Sequence, residues 1–322
     1  MNAPQIQPKP APFKLNISRG SKREPPRLVV HGGPGIGKST LASCAPEPIF
    51  LDLEHGTLQL DVARVADLDT WDALLAAVRA LQTEPHDFRT LVLDTLDRAE
   101  WLCWQAICQR ERVDSIEKVG RGFGKGYTAA YEAFRALARE LDVLRTRRGM
   151  GLILIAHSKI EKAPNALGDE YERWTLKVHK QVAGLFYESF DAILFARLET
   201  FTSKSESGKV KGFGDRRVLE TQESPGWLAK NRYRLPPQIP LSWDDLAAGL
   251  ARGADELVAS LRTEIEAALV ELAALDPARA EKARSIYLNT APTPDVTGVF
   301  LNQLRARIAE LSAKAATEQT AT

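Results

Sequence analysis

The chain has 322 residues, of which 44% are hydrophobic, so it is long enough to bury one large core and a smaller appendage. Its net charge of +1 excludes a global attraction to nucleic acid, and any such contact must come from local basic patches. The three cysteines form no Cys-x-x-Cys pair, which argues against a zinc site or a disulfide framework and favours a reducing compartment.

The N-terminal segment, residues 1–26, is rich in proline and polar residues and ends in the basic run Ser21-Lys22-Arg23. Such a segment buries too little apolar surface to order itself, so we predict a disordered leader, with a basic arm that touches DNA or a neighbouring subunit as the alternative. It has no apolar core of signal-peptide length, and no apolar run elsewhere approaches a membrane span. We therefore expect a cytoplasmic protein with no membrane partner.

A short apolar run, residues 28–30, leads into the letters GGPGIGKS, which fit the pattern G-x-x-x-x-G-K-[ST] of a phosphate-binding loop. Glycines allow successive backbone N–H groups to point at a polyphosphate. Lys38 can reach the β- and γ-phosphates, and the Ser39 hydroxyl can bind the Mg²⁺ ion that bridges them. We predict a site for ATP and Mg²⁺, with nucleotide-binding residues Gly32, Gly33, Pro34, Gly35, Ile36, Gly37, Lys38, Ser39 and Thr40.

Two later strands are predicted to end in carboxylates beside that loop. Residues 48–53 read as a buried strand that leads to Glu54, and residues 90–93 as one that leads to Asp94. Ligands of open α/β sheets bind at the carboxyl ends of strands, so Asp94 is predicted to hold Mg²⁺ together with Ser39. Glu54 either polarises the water that attacks the γ-phosphate or caps the next turn.

Helical spacing predicts amphipathic helices over residues 70–83, 96–111 and 127–148. Between the second and third lies a glycine-rich stretch, residues 118–127, in which three cations accompany two aromatic residues. This stretch is predicted either to grip a nucleic-acid backbone and stack its bases, or to be a flexible connector. Its candidate contacts are Lys118, Arg121 and Lys125.

A further predicted strand, residues 151–158, ends at the nucleotide edge, where His157 could sense the γ-phosphate through a hydrogen bond. The next segment, residues 159–180, interleaves basic with aromatic residues, a pattern that fits single-stranded nucleic acid although acidic residues dilute its charge. Its candidate contacts are Lys159, Lys162, Arg173 and Lys177.

A strand is predicted over residues 190–198, followed by a hairpin with its tip at 203–215 and a returning strand at 217–221. Lys230 and Arg232 come shortly afterwards. They are either solvated side chains or cations that meet the triphosphate of a neighbouring subunit.

The C-terminal region, residues 244–322, is rich in Ala, Leu and Glu. Its spacing predicts a helix over 255–275, a second from Asp276, and a third over 296–311, with a disordered tail after about residue 313. We therefore divide the chain into the leader, a main domain over residues 27–243, and this helical region.

Several segments go beyond a generic phosphate-binding loop. The letters FLDLEH, LDT and IAHS resemble the parts of the RecA recombinase family that carry a catalytic glutamate, a Mg²⁺-binding aspartate and a γ-phosphate-sensing amide. His157 stands where the recombinases have a glutamine. The letters KNRY, which contain Lys230 and Arg232, resemble the KNRF motif of RadA-type and DnaB-related ATPases, in which Lys and Arg reach a neighbour's ATP. Together with the segments HGGPGIGKST, GFGKGY and LIAHSK, these motifs make the sequence similar to a phage family of RecA-like ATP-binding proteins, some of which are single-strand annealing proteins.

The resemblance covers about residues 27–243. It implies an α/β, RecA-like P-loop NTPase with a mostly parallel twisted sheet between helices, to which the small helical C-terminal appendage is added. It also implies ATP hydrolysis in a ring or filament of identical subunits, with single-stranded DNA, and a single-strand-binding or other phage protein, as partners in the bacterial cytoplasm. The implied catalytic residues are Lys38, Glu54, His157, Lys230 and Arg232, and residues 118–127 and 159–180 fall where recombinases carry their DNA-contacting loops.

Two other functions remain open from the sequence. One is an ATP-binding switch, or a packaging or replication partner, without DNA-stimulated turnover. The other is a nucleotide kinase, which shares the phosphate-binding loop but needs an Arg-rich lid that is not evident in this sequence.

Overall fold

The fold is described from a computed structural model for residues 24–164, 168–199, 201–204, 210–289 and 294–320. The predicted leader, except for its last three residues, lies outside this part of the chain. Internal contacts divide the structure into two compact units, one over residues 24–254 and the other including residues 255–322. The division falls inside a helix, later than the boundary at residue 243 drawn from composition.

A ten-stranded sheet organises the first unit, with the strand order β12-β10-β7-β1-β5-β4-β2-β3, with β11 paired to β7 and β6 paired to β5. Its six strands from β7 to β3 in that order are parallel, whereas β6, β10, β11 and β12 are antiparallel to their neighbours. A separate hairpin pairs β8 with β9. The strands are β1 Arg27–Gly32, β2 Pro48–Asp52, β3 Ala63–Val65, β4 Thr90–Asp94, β5 Gly151–Ala163, β6 Tyr171–Leu176, β7 Ala192–Leu198, β8 Phe201–Lys204, β9 Val210–Phe213, β10 Arg217–Glu220, β11 Lys230–Asn231 and β12 Gln238–Pro240.

Helices lie in the connections between most of the parallel strands, the usual crossover for parallel pairing, whereas β2 and β3 are joined by a loop. They are α1 Lys38–Ser43, α2 Trp71–Thr83, α3 Leu96–Glu111, a 3₁₀ helix Ile116–Arg121, α4 Lys125–Arg148, α5 Lys180–Ser189, α6 Trp243–Leu275, α7 Pro277–Leu288 and α8 Pro294–Thr320. Thr70 and Thr95 cap α2 and α3, since their side-chain oxygens accept the N–H groups of Ala73 and Arg98.

Both faces of the sheet are buried. Successive residues of a strand point to opposite sides of the sheet, and they join different apolar clusters. Leu91 and Leu93 of β4 join one apolar cluster with Phe134 of α4. Val92 joins the other cluster with Phe50 of β2. The predicted class, α/β with a mostly parallel sheet between helices, is confirmed.

One expectation about the main unit needs correction. The strand that was predicted over 151–158 continues to Ala163 and folds back through β6, so the segment 159–180 contains a two-stranded arm rather than a loop. In the stretch 118–127, the 3₁₀ helix reaches Arg121 and α4 starts at Lys125, so a short turn joins the two helices.

The second unit is helical, with an apolar core that includes Ile265 and Leu272 of α6 and Leu304 of α8. Here α6 begins at Trp243 instead of residue 255. The helix α8 continues to Thr320, and the disorder predicted for the tail after about residue 313 stays a prediction.

Candidate functional site

The glycine-rich loop joins the end of β1 to the start of α1 and leaves open space above its backbone. A Cβ atom built on Gly33 or on Gly35 would meet no atom within 4 Å. Gly35 and Gly37 have φ angles of +71° and +112°, which glycine adopts without a Cβ clash. The loop therefore forms a backbone cradle of the kind that polyphosphate needs.

The Lys38 ammonium group is held inside this loop. Its Nζ donates hydrogen bonds to the carbonyl oxygens of Gly32 and Gly33, at 3.1 and 2.9 Å. Burial lowers the pKa of Lys38, against the opposing effect of the carboxylates of Asp94, Asp97 and Glu54. A triphosphate in the cradle would offer this amine stronger, charged acceptors than two carbonyls.

Ser39 and Asp94 face each other across the end of the sheet. The Ser39 hydroxyl donates to Asp94 Oδ2 over 2.5 Å. Burial raises the pKa of Asp94 to about 6, although the bond from Ser39 opposes the shift. A hydroxyl and a carboxylate oxygen are the hard ligands that Mg²⁺ takes alongside nucleotide phosphates, so the pair fits the predicted metal.

Glu54 lies two residues beyond the end of β2 and is turned toward the end of β4. Its Oε1 accepts a hydrogen bond of 2.6 Å from the hydroxyl of Thr95, the residue directly after Asp94. The same oxygen is 3.8 Å from Nδ1 of His157. Glu54 therefore contacts the residue after β4 and approaches His157 of β5.

His157 is fixed by a residue that is not among the predicted site residues. Its backbone N–H donates to Asp97 Oδ1 and its Nδ1 lies 2.9 Å from Asp97 Oδ2. This hydrogen bond raises the pKa of His157, with burial acting against it. The available sequence signal for Asp97 is its position in the first turn of α3, directly after the predicted Asp94 strand end.

The comparison with known families agrees with this geometry. A family model described as an AAA domain matches residues 24–233, which is more than half of the chain. The chain belongs to the AAA domain family. It therefore contains a nucleotide-binding domain of the P-loop NTPase class, for which Mg²⁺ is the usual metal. No curated protein matches the chain, and no helix in the part that the structure covers is long and apolar enough to cross a membrane.

A second cation of the AAA domain, Arg217, also reaches the loop. A Cβ built on Gly37 would lie 3.3 Å from Arg217 Nη1. Arg217 is exposed, and within the described residues it forms no ion pair. It is not among the predicted site residues, because only the antiparallel pairing of β10 with β7 brings it to this edge.

Lys230 and Arg232 lie at the other end of the sheet from the loop of their own AAA domain. Lys230 pairs with Ile193 near the start of β7, and its Nζ donates to the carbonyls of Tyr187 and Glu188 at the end of α5. The Arg232 side chain is 57% exposed, 3.5 Å from a carboxylate oxygen of Asp191. These two residues are not brought together with the phosphate-binding loop.

The candidate nucleic-acid contacts in the stretch 118–127 differ in whether another side chain already pairs with them. Lys118 pairs with Asp114 at 2.8 Å, whereas Arg121 and Lys125 are exposed and have no ionic partner in the described ranges. Phe123, between them, has 98% of its surface exposed. The other aromatic residue, Tyr127, is taken up by stacking on His179 at 4.4 Å.

The arm formed by β5 and β6 carries the other candidates. Lys159 pairs with Glu161 and Arg173 with Glu223, while Lys162 and Lys177 are exposed. Ile160 and Trp174 are direct cross-strand neighbours, and they expose 53% and 39% of their surface. The arm thus presents an apolar pair that is flanked by charges.

Proposed function

We propose that this protein is a Mg²⁺-dependent, RecA-like ATP hydrolase that acts on single-stranded DNA in phage recombination or annealing. The observation that carries the proposal is the bond between Glu54 and Thr95, which holds a carboxylate next to the Ser39–Asp94 pair. A P-loop domain that only binds nucleotide has no need of this additional, exposed carboxylate.

The residues divide the chemistry of hydrolysis between them. Lys38 and the amides of the loop hold the phosphates, and Ser39 with Asp94 holds Mg²⁺, which neutralises charge on the β- and γ-phosphates when bound. Glu54 accepts a proton from the attacking water and orients it. His157 meets the γ-phosphate.

The origin of the glutamate supports a RecA-like arrangement. In this chain Thr95, and not a carboxylate, follows Asp94 in β4. The nearby carboxylate comes from the segment after β2, the strand that pairs with β4 in parallel. This agrees with the resemblance to recombinases, in which a strand ends in the catalytic glutamate.

Replacement of Glu54 by glutamine tests the hydrolytic part. We expect Glu54→Gln to lose turnover by about 10²-fold or more, because a general base contributes that much, while ATP binding is retained. Glu47→Gln, at the opposite end of β2, is the matched control and should leave turnover unchanged. If Glu54→Gln hydrolyses ATP as fast as the wild type, the catalytic role is wrong.

The arm supports the role of single-stranded DNA. The strand that carries His157 continues without a break into the exposed part of the arm, where Ile160 and Trp174 lie side by side. Single strands are bound by apolar and aromatic surfaces for the bases and by cations for the backbone. A nucleotide-dependent shift of His157 would therefore act directly on a surface of suitable chemistry.

The turn before α4 offers a second surface of the same kind. Phe123 is exposed between Arg121 and Lys125, and both cations are free of ionic partners among the described residues. Tyr127, at the start of α4, stacks on His179, at the start of α5, with the ring planes 3° apart. This stacking connects the turn to the segment that follows the arm.

The position of Arg232 favours a role between subunits. At the far end of the sheet it cannot serve the site of its own chain, and its exposed guanidinium suits a neighbour's triphosphate in a ring or filament. Lys230 is less available, because its amine is engaged by two carbonyls. Arg232→Ala should therefore reduce turnover only under conditions in which the protein oligomerises.

The ATPase rate should be measured with and without single-stranded DNA, at low and at moderate salt. We expect strong stimulation that falls with salt. The slope of the logarithm of the DNA binding constant against the logarithm of the salt concentration should become shallower by about 0.7 for each phosphate contact removed. The double variant Arg121→Ala/Lys125→Ala should reduce both the stimulation and the slope. Arg147→Ala, about 33 Å away along the same helix, is the matched control. An ATPase rate that does not change with DNA would refute the DNA role, while the proposed ATP hydrolysis would stand.

A further inference from the structure

Both oxygens of Asp97 are used by a single residue. The backbone N–H of His157 donates to Oδ1 over 2.9 Å, and Nδ1 of the same residue lies 2.9 Å from Oδ2. Asp97 is part of α3, whereas His157 is part of β5. A carboxylate bound in this way fixes both the position of the strand and the rotation of the ring.

The pairing also determines which ring nitrogen carries a proton. Burial raises the pKa of Asp97, but the hydrogen bonds from His157 more than offset this, so the pKa lies below its usual value and the carboxylate is ionised. An ionised carboxylate accepts hydrogen bonds only, so Nδ1 must be the donor. Nε2 is then an acceptor in the neutral ring and a donor in the imidazolium.

We propose that Asp97 is a positioning residue that holds His157 as an imidazolium, with Nε2–H as the donor offered to the γ-phosphate. The proposal rests on the proposed function, since it assigns a charge state to the γ-phosphate contact of that site. A neutral ring held in the same way would turn a lone pair toward phosphate oxygens, which repels them. The charge of the ring therefore decides whether the contact forms.

Three charged groups face His157. Asp97 on α3 and Glu54 after β2 favour the imidazolium, and Lys38 in α1 opposes it. The balance raises the pKa of His157, so the imidazolium is present at low pH and is lost as pH rises through that raised pKa. A glutamine, which the recombinases that this sequence resembles carry at this position, cannot change its charge. This chain should therefore have a pH-dependent γ-phosphate contact.

The charge state can be measured in the full-length protein without nucleotide. The protein has five histidines, and NMR of selectively ¹³C-labelled histidine rings follows the titration of each. His157→Gln identifies the signal of His157 by its loss. We expect His157 to titrate above the usual 6.5 in the wild type and at a lower pH in Asp97→Asn, while the other four are unchanged. Asp97→Glu, which keeps the charge, should recover part of the shift.

Turnover over the same pH range tests the function of that charge. In the wild type, activity should fall by about tenfold to a hundredfold as the imidazolium is lost, the range of a hydrogen bond to a charged group. The fall should occur at lower pH in Asp97→Asn and be absent in His157→Gln.

The outcomes distinguish the role of Asp97, the role of the imidazolium and the proposed hydrolysis. An unchanged titration of His157 in Asp97→Asn overturns the positioning role. A changed titration with an unmoved activity profile overturns the role of the imidazolium. A wild type with no turnover at any pH refutes the proposed hydrolysis, while the nucleotide-free titrations still decide the role of Asp97.

Discussion

Replacing Phe123 by alanine is expected to weaken the binding of single-stranded DNA by about 5- to 150-fold. The basis is that one stacked base contributes about 1–3 kcal/mol. Phe123 buries almost none of its side chain, since 98% of it is exposed, and its φ of +58° is unfavourable for a residue with a Cβ. A large apolar side chain that is almost fully exposed contributes nothing to the stability of the fold. The midpoint of thermal unfolding of Phe123→Ala should therefore equal that of the wild type.

The assay is fluorescence anisotropy of a labelled oligonucleotide over a series of salt concentrations. Stacking releases no counterions, so Phe123→Ala should lower the affinity by the same factor at every salt concentration. The neighbouring Lys125→Ala should instead reduce the salt dependence. Phe123→Trp should keep the affinity, and Phe123→Leu, which has no aromatic face, should not.

The reasoning would be refuted if Phe123→Ala bound the oligonucleotide as tightly as the wild type throughout the series. A loss that appears only at low salt would also contradict it, since that behaviour belongs to phosphate contacts. A wild type that binds no single strand at all would refute the DNA part of the proposed function instead.

Three further changes test the fold and the nucleotide site. Asp191→Ala should lower the free energy of unfolding in urea by about 1–3 kcal/mol. The guanidinium groups of Arg27 and Arg145, 3.0 and 3.2 Å from the carboxylate, lose its hydrogen bonds, although each keeps a second carboxylate partner. Burial raises the pKa of Asp191, but the hydrogen bond and charge of Arg27 more than offset it, so this stabilisation is present at neutral pH and is lost as pH falls through the lowered pKa. Gly32→Ala should abolish ATP binding and lower the calorimetric midpoint, since the new Cβ would lie 2.4 Å from the carbonyl oxygen of Ala196. Arg217→Ala should weaken ATP binding about tenfold or more in calorimetric titration, the value of a charged hydrogen bond; an unchanged affinity would remove Arg217 from the site.

The phosphate-binding loop and Asp94 are predictable from the sequence because their signals are local. A strand, a glycine-rich turn and a lysine follow one another along the chain, and a buried strand that ends in an aspartate places it at the same edge of a parallel sheet as that loop. The capped start of α6 also has a local signal, since Ser242 is followed by two acidic residues, although no apolar stripe accompanies it.

The arm and the supporting residues have no comparable signal. The strand residues 159–163 and 171–176 pair in an arm with no fully buried face, so they show no apolar alternation from which a strand could be recognised. Asp97 and Arg217 enter the site only through the packing of α3 on β5 and the pairing of β10 with β7. Such contacts depend on the assembled fold and not on spacing along the chain.

The helix α3 connects the nucleotide edge to both surfaces proposed for DNA. Its residues Asp97, Glu100 and Trp104 follow the spacing that brings side chains to one side of a helix. Asp97 holds the histidine of β5, Glu100 accepts the backbone N–H of His179 at 2.8 Å, and Trp104 meets the ring of Tyr127 edge-on at 5.6 Å. Because a helix is stiff over a few turns, a displacement at its first turn is carried to all three contacts together. DNA stimulation of turnover would then need no other connection, since this helix contacts the residue proposed to meet the γ-phosphate and a residue next to each surface proposed for DNA.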